Sequence, residues 1–222
     1  MKTTWRPVAA AHFCALLAGL VWLTTPGLAQ ETKPAQPAEK PAAKATTLDN
    51  LQTAYDGESN AHERYVAFAK KAEEEGFGQV ASLFRAAARS EEIHANNHAD
   101  VIKKLGGTPK ADVKKPDVKS TRENLTLALI GESLERDTMY PSFVKQAQAD
   151  NNKDAVQTFN YALQTETGHA KLYKEALDNL DQWKTGKKDF FVCSVCGNTV
   201  VKVDFEKCAV CFSPKSKYEK IN

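Results

Sequence analysis

The sequence has little net charge, few cysteines and no apolar run of membrane-spanning length. Its 222 residues include 30 Lys and Arg against 28 Asp and Glu, which gives no electrostatic basis for binding nucleic acid or an anionic membrane. The apolar stretch 13–23 has 11 residues, whereas a helix needs about 20 to cross a bilayer. All of the 5 cysteines except Cys14 lie between 193 and 211. These absences argue against a nucleic-acid-binding protein and against a stable membrane span.

Residues 1–29 have the layout of a secretory signal peptide. Lys2 and Arg6 are the only charged residues before the apolar stretch, and Gly27-Leu28-Ala29 offers small residues to a peptidase. We therefore predict cleavage after Ala29 and export to the periplasm. The alternative is an uncleaved N-terminal helix that anchors the protein. Residues 30–46, rich in Pro, Ala and Lys, are typical of a flexible linker without a site of its own.

Four amphipathic helical patterns follow within 47–183. Apolar and chemically active residues recur at spacings of three and four along 51–69, 80–105, 125–139 and 156–180. Short connections predict that helices one and two, and helices three and four, form antiparallel hairpins. The segment 106–119 reaches about 45 Å when extended, enough to cross a helix of about 40 Å. One long crossover between two hairpins predicts an all-α, ferritin-like four-helix bundle.

The core-facing positions of these helices carry carboxylates. Five glutamates stand there among apolar neighbours: Glu58, Glu91, Glu132, Glu135 and Glu166. Burying unpaired carboxylates is costly, and almost no Lys or Arg shares these positions, so metal cations are the natural compensation. The alternative is that the helices are phased differently and the glutamates are solvated.

The spacing of two histidines sharpens the metal hypothesis. His94 follows Glu91, and His169 follows Glu166, by three residues, so each pair lies one helical turn apart. A Glu from each of two helices plus Glu-x-x-His from each of the other two is the pattern of di-iron and di-manganese carboxylate proteins. Glu135 is surplus to that set and faces the same cavity. His62 and His98 lie one turn from proposed ligands, and we expect them to pack or to orient ligands rather than bind metal.

Two cysteine pairs predict a second metal site. Cys193 and Cys196, and Cys208 and Cys211, form Cys-x-x-Cys motifs whose thiolates can converge on one zinc or iron ion. A metal would let the short segment 188–222 hold a small β-rich domain, with strand-forming runs at 190–192 and 199–203. Two disulfides are the alternative, disfavoured because Cys-x-x-Cys pairs close strained rings.

After the linker, the chain resembles rubrerythrin over essentially its whole length. The matching segments are GESNAHERY (57–65), EEIH (91–94), GESLERDTMYPSF (131–143), ETGH (166–169), CSVCG (193–197) and CAVCFSPKSKYEKI (208–221). The resemblance implies a rubredoxin-like C-terminal part whose iron, held by the four cysteines, passes single electrons. It also implies a homodimer in which this centre of one chain lies near the di-iron site of the other.

The resemblance further implies roles for individual residues. The implied ligands are Glu91 and Glu166 bridging two irons, Glu58 terminal on one iron, and Glu132 with His169 on the other. Glu135 and His94 would alternate as ligands to one iron with redox state. Tyr65 and Tyr140 would hydrogen-bond to the site. Two positions depart from the family pattern, since Ala209 and Phe212 stand where proline and glycine are usual.

The implied function is a non-haem peroxidase that protects against oxidative stress. It would reduce hydrogen peroxide to water, with electrons relayed through the cysteine-bound iron from an unidentified donor protein. The signal peptide is a further departure, because rubrerythrins are typically cytosolic and NAD(P)H is absent outside the cytoplasm. Two other functions stay open, namely a ferroxidase that handles iron and a redox-inert, zinc-loaded interaction protein. The cysteine domain argues against the ferroxidase, because oxidising iron needs no electron supply.

Overall fold

A computed structural model describes residues 45–222, so the predicted signal peptide and most of the predicted linker lie outside the described residues. The helices are α1 (Thr47–Glu74), α2 (Gly78–Lys104), α3 (Thr121–Leu134), α4 (Tyr140–Ala149) and α5 (Lys153–Asp178). The strands are β1 (Phe190–Cys193), β2 (Thr199–Val200) and β3 (Tyr218–Ile221). Within 45–222, no helix is both long enough and apolar enough to cross a membrane.

The long crossover runs along α1, as its length predicted. Three side chains on successive turns of α1 form hydrogen bonds, in order, with the backbone of the crossover. Gln52 donates to the carbonyl of Lys110, Asp56 accepts from the N–H of Asp112, and Asn60 accepts from the N–H of Lys114. Glu75, just past the end of α1, then accepts from the N–H of Thr121 at 2.8 Å. The crossover therefore brings the chain back to start α3 at the opposite end of the bundle, which confirms the predicted topology.

The second hairpin differs from the prediction of one continuous third helix. A capping box between Ser120 and Glu123 begins α3, but a π-helical turn, Glu135–Met139, separates α3 from α4. Eight α-helical residues would leave Glu132 and Tyr140 about 80° apart around the axis, and the extra residue of a π turn cancels most of that angle. Tyr140 is fully buried as a result, whereas Met139 is only partly buried.

The C-terminal sheet has the order β2-β1-β3, with both pairs antiparallel. β2 is shorter than the predicted run 199–203. β3 was not predicted because its sequence, Tyr218-Glu219-Lys220-Ile221, lacks the apolar–polar alternation of a half-buried strand. β3 is held instead by tertiary contacts, since Arg89 on α2 binds both carboxylate oxygens of Glu219 at 2.9 and 3.0 Å. Phe190 and Val192 of β1 belong to the same buried cluster as the aromatic core of the bundle. Bundle and sheet thus share one core.

Candidate metal centres

Side chains from α1, α2, α3 and α5 converge on one buried cluster. Two groups of four donors have their ligand atoms within 4.8 Å of one another: Glu58, Glu91, His94 and Glu166 in the first, and Glu91, Glu132, Glu166 and His169 in the second. Glu91 and Glu166 belong to both groups, the position a bridging ligand requires. Each of these side chains is at most 1% exposed. The structure therefore brings together every predicted bundle ligand except Glu135.

The two histidines face the cluster through the same ring nitrogen. Nδ1 of His94 lies 2.9 Å from Oε2 of Glu91 and 3.0 Å from Oε1 of Glu166. Nδ1 of His169 lies 3.2 Å from Oε1 of Glu91 and 3.0 Å from Oε2 of Glu166. The four oxygens of the two shared glutamates are thus divided evenly between the two imidazoles, as two adjacent cations would require.

The cluster is electrostatically incomplete without cations. Within the described part of the chain, several of its buried atoms have no hydrogen-bond partner: Glu58 Oε2, both oxygens of Glu91, His94 Nδ1, Glu132 Oε2 and Glu166 Oε1. Burial and the neighbouring carboxylates raise the pKa of both Glu58 and Glu166 well above the usual range of a glutamate. Two di- or trivalent cations would satisfy these oxygens, and the oxygen-rich set with two imidazoles suits iron or manganese.

Both predicted tyrosines contact the cluster. Tyr65 donates to Oε1 of Glu132 at 2.5 Å, and Tyr140 donates to Oε1 of Glu58. Burial and the adjacent carboxylates raise the pKa of both phenols well above the usual range, so they stay protonated donors. His98 lies behind Tyr140, with Nε2 at 3.1 Å from its hydroxyl oxygen, and belongs to neither donor group.

The four cysteines meet in the C-terminal sheet. Sγ of Cys193 lies 3.6 Å from that of Cys211, and Sγ of Cys196 lies 3.6 Å from that of Cys208. A disulfide needs about 2.05 Å, which excludes the disulfide alternative in this structure. A tetrahedral ion with bonds of about 2.3 Å places its sulfurs about 3.8 Å apart, close to what is observed.

The backbone turn around Cys196 packs directly on the bundle cluster. Its main-chain carbonyl oxygen lies 3.1 Å from Nε2 of His94. Ser90 donates to the carbonyl of Gly197 at 2.8 Å, and Asn97 donates to that of Val195 at 2.9 Å. Thr199 Oγ1 lies 3.1 Å from Nε2 of His169. Each histidine of the cluster therefore has one nitrogen toward the carboxylates and the other bound to the cysteine domain.

Comparisons with known proteins agree with this arrangement. The family model for rubrerythrin matches residues 49–177. Nigerythrin of Nitratidesulfovibrio vulgaris is 39% identical over 182 residues, covering 82% of this chain and 89% of that protein. Rubrerythrin-2 of Clostridium acetobutylicum is 38% identical over 185 residues, covering 79% of this chain and 96% of that one.

This chain belongs to the rubrerythrin family. The solved structure of fully reduced, all-ferrous nigerythrin has a TM-score of 0.74 and 36% identity, and the match covers 82% of this chain and 90% of that one. A Desulfovibrio desulfuricans bacterioferritin, 20% identical with a TM-score of 0.57 over 61% of this chain, shares the fold of the bundle. Family and donor sets together confirm the predicted cofactors, a di-iron centre in the bundle and one iron between the cysteines.

Glu135 stands apart from the other predicted ligands of this rubrerythrin-family bundle. It lies in the π-helical turn and belongs to neither donor group, whereas His94 is in the group with Glu58. Burial and the charges of Glu132 and Glu91 raise its pKa well above the usual range. The predicted alternation between Glu135 and His94 stays a prediction.

Several site residues were missed from the sequence. The polar residues Ser90 and Asn97 lie four before and three after His94, on the same face of α2, and that spacing was a usable signal. Thr199, which contacts His169, gives no such signal because its partner is thirty residues away. The resemblance implied contact between the cysteine centre of one chain and the bundle of another. In this structure the cysteine centre packs on the bundle of its own chain. The arrangement across a dimer stays a prediction.

Proposed function

We propose that this protein is a peroxidase that reduces hydrogen peroxide to water in the bundle, with electrons that enter through the cysteine-bound iron. The observation that carries the proposal is the hydrogen bond between Nε2 of His94 and the carbonyl of Cys196, because it joins one residue of each metal site. An electron arriving between the cysteines is thus one hydrogen bond from a side chain of the other site.

The bundle residues are suited to this reaction. Glu91 and Glu166 would hold both irons, with Glu58 and His94 on one side and Glu132 and His169 on the other. Bound iron would supply the electrons that cleave the O–O bond of the peroxide. Tyr65 and Tyr140 present buried hydroxyl donors to the carboxylates on opposite sides of the cluster. Near-complete burial of the donors excludes bulk water from the reacting atoms.

A ferroxidase without peroxidase turnover explains less of the structure. Oxidation of ferrous iron delivers electrons, so it has no use for a second redox centre placed against His94. A zinc-loaded interaction protein would have no use for inward tyrosine hydroxyls on the bundle carboxylates. The contact between the two centres therefore favours a reaction in which the bundle is repeatedly re-reduced.

Metal counting and rapid mixing test the proposal together. Protein purified without oxygen should hold two irons in the bundle and one between the cysteines, the latter giving the visible band of an iron tetrathiolate. Fully reduced protein is then mixed in a stopped-flow instrument with hydrogen peroxide or with dissolved oxygen. We expect peroxide to oxidise the reduced protein, and so to restore the visible band of the ferric tetrathiolate, much faster than oxygen does. Faster oxidation by oxygen, or zinc at all three positions, would overturn the peroxidase assignment.

The proposal includes a homodimer and a protein electron donor outside the cytoplasm. Three apolar side chains along one stripe of α3 support self-association, with exposures of 43% for Leu127, 61% for Ile130 and 61% for Leu134. Light scattering should give the mass of two chains for the wild type. Ile130→Lys should lower it to that of one chain if this stripe lies in the interface.

A further inference from the structure

Reduction of hydrogen peroxide to two molecules of water consumes two electrons and two protons. The electrons have a route through the cysteine domain, but the donor side chains of the bundle cluster are at most 1% exposed. We therefore look for the proton route among side chains that connect the buried carboxylates to the surface. This inference rests on the proposed function.

A line of hydrogen bonds leads from the cluster toward the surface between α2 and α5. Tyr140 donates to Glu58, Nε2 of His98 lies 3.1 Å from the Tyr140 hydroxyl oxygen, and Oγ1 of Thr158 lies 2.9 Å from Nδ1 of His98. His98 and Tyr140 are completely buried and Thr158 is 5% exposed. The line spans three helices. Tyr140 and His98 each have one hydrogen-bond partner on either side, and Thr158 faces a cavity at the outer end.

The directions of these hydrogen bonds agree with one another. The Tyr140 hydroxyl gives its hydrogen to Glu58, so it accepts from Nε2–H of His98. The other nitrogen, Nδ1, then carries no hydrogen and accepts from the hydroxyl of Thr158. Burial and the nearby His94 lower the pKa of His98 to about 3, so the ring is neutral and has one donor and one acceptor nitrogen. Every hydrogen in the line points toward the cluster.

The outer end of the line opens on a surface cavity of about 170 Å³. Thr158 lines it, together with the exposed charges of Asp100, Lys104 and Asp154. Lys104 and Asp154 form an ion pair at 2.8 Å on its rim. A polar cavity of this size holds several water molecules, each able to donate to Thr158. Tyr65, the phenol on the other side of the cluster, packs against the rings of Phe68, Phe84 and Tyr173.

We propose that Thr158, His98 and Tyr140 form a proton relay that carries protons from this cavity to the di-iron site during peroxide reduction. Each transfer moves one hydrogen one place inward: water to Thr158, Thr158 to Nδ1 of His98, Nε2 of His98 to Tyr140, and Tyr140 to the carboxylate of Glu58. Each passage leaves the hydrogen of His98 on Nδ1, so the ring has to return to its Nε2–H form before the next passage. Glu58 would pass each proton on to the peroxide, and two protons with two electrons from bound iron would convert one hydrogen peroxide into two waters. Thr158 and His98 act through Tyr140 and do not touch the peroxide.

The decisive comparison is between two substitutions of Thr158. Thr158→Val keeps the shape of the side chain but removes the hydroxyl, whereas Thr158→Ser keeps the hydroxyl. In single-turnover mixing of fully reduced, iron-loaded protein with hydrogen peroxide, Thr158→Val should react at least about tenfold slower and Thr158→Ser within about twofold of the wild type. Thr126→Val, whose hydroxyl binds only the carbonyl of Arg122 on α3, is the matched control. Equal rates for Thr158→Val and Thr158→Ser would overturn the relay.

A second measurement does not depend on peroxide turnover. In full-length protein loaded with diamagnetic zinc, ¹⁵N NMR of His98 should show hydrogen on Nε2 and none on Nδ1. After transfer to D₂O, the Nε2 hydrogen should exchange at least about tenfold more slowly in Thr158→Val than in wild type or Thr158→Ser, because the route to the cavity is cut. If wild-type protein fails to react with peroxide but exchange follows this order, the proposed function fails and the relay stands. Equal rates of exchange of the Nε2 hydrogen in wild type and both variants would contradict the relay.

Discussion

Nε2 of His94 and the carbonyl oxygen of Cys196 lie 3.1 Å apart, and this contact joins the two metal sites of the protein. A carbonyl only accepts, so His94 must carry its hydrogen on Nε2 and leave Nδ1 free toward the carboxylates. The same logic applies to His169: the Thr199 hydroxyl donates to the carbonyl of Gly197, so it accepts from Nε2 of His169. The cysteine domain thus sets the tautomers of both bundle histidines.

Gly197 makes this contact possible, and replacing it should disrupt it. A Cβ at this position would lie 2.5 Å from both Nε2 of His94 and Oγ of Ser90, and φ is +81°. We expect Gly197→Ala to lower the free energy of unfolding by about 1–3 kcal/mol and to push the cysteine domain away from α2. The rate at which the cysteine-bound iron re-reduces the bundle, followed optically, should fall.

A matched control for that variant is Gly57→Ala. Gly57 lies within α1, and a Cβ there would meet no atom within 4 Å. This substitution should stabilise the helix by up to about 1 kcal/mol. If Gly197→Ala and Gly57→Ala had the same effect on re-reduction, close approach at Gly197 would not matter for electron transfer.

Thr199 should affect the metal site of the bundle although it belongs to the cysteine domain. Thr199→Val removes the acceptor that orients His169, and we expect metal affinity at the bundle to fall about 10- to 100-fold. Thr199→Ser keeps the hydroxyl and should restore most of that affinity. Competition with a chelator, measured on intact protein, gives the values. Unchanged affinity in Thr199→Val would mean that the carboxylates alone hold His169 in place.

The donors that the structure brings together at both sites could be predicted from the sequence because most of their signals are local. Glu91 with His94, and Glu166 with His169, lie one helical turn apart, so helical spacing alone places them on one face. The cysteine pairs are equally local. The glutamates contributed singly, Glu58 and Glu132, became recognisable only because carboxylates at core-facing positions are costly unless they are compensated.

The features that the sequence did not reveal depend on contacts between distant segments. The π-helical turn at Glu135–Met139 has no distinctive composition, and its effect is visible only once Tyr140 is seen buried beside Glu58. β3 is fixed by Arg89, which lies 130 residues earlier in the chain. The docking of Cys196 on His94 joins residues separated by 102 positions. Local spacing contains no information about such pairings.

Export is a prediction that biochemistry can check directly. If residues 1–29 are a cleaved signal peptide, protein recovered from the periplasmic fraction of the expressing cell should begin at Gln30. An Ala29→Arg variant should block cleavage, because the peptidase needs a small residue there. Recovery of protein that begins at Met1 in the soluble cytoplasmic fraction would contradict export, and uncleaved protein in the membrane fraction would favour the anchor.

Removal of the metal should change how stability depends on pH. In the metal-free fold, burial and neighbouring carboxylates raise the pKa of Glu58 and Glu166, and Glu91 and Glu132 raise that of His169 although its burial opposes the shift. Groups whose pKa is raised on folding bind protons more tightly in the folded state, so their contribution to stability is greatest at low pH and is lost as the pH rises through the folded pKa. The Tm of chelator-treated protein should therefore increase as the pH falls from about 8 to about 5.

Below about 4, protonation of exposed carboxylates such as Glu75, whose pKa is lowered by hydrogen bonds from Thr121, should reverse the trend. Iron-loaded protein should have a higher Tm that changes less with pH between about 8 and about 5, because the cations replace the protons in the cluster. If the Tm of chelator-treated protein instead decreased steadily as the pH fell from about 8 to about 5, some other interaction would already compensate the charge of the buried carboxylates.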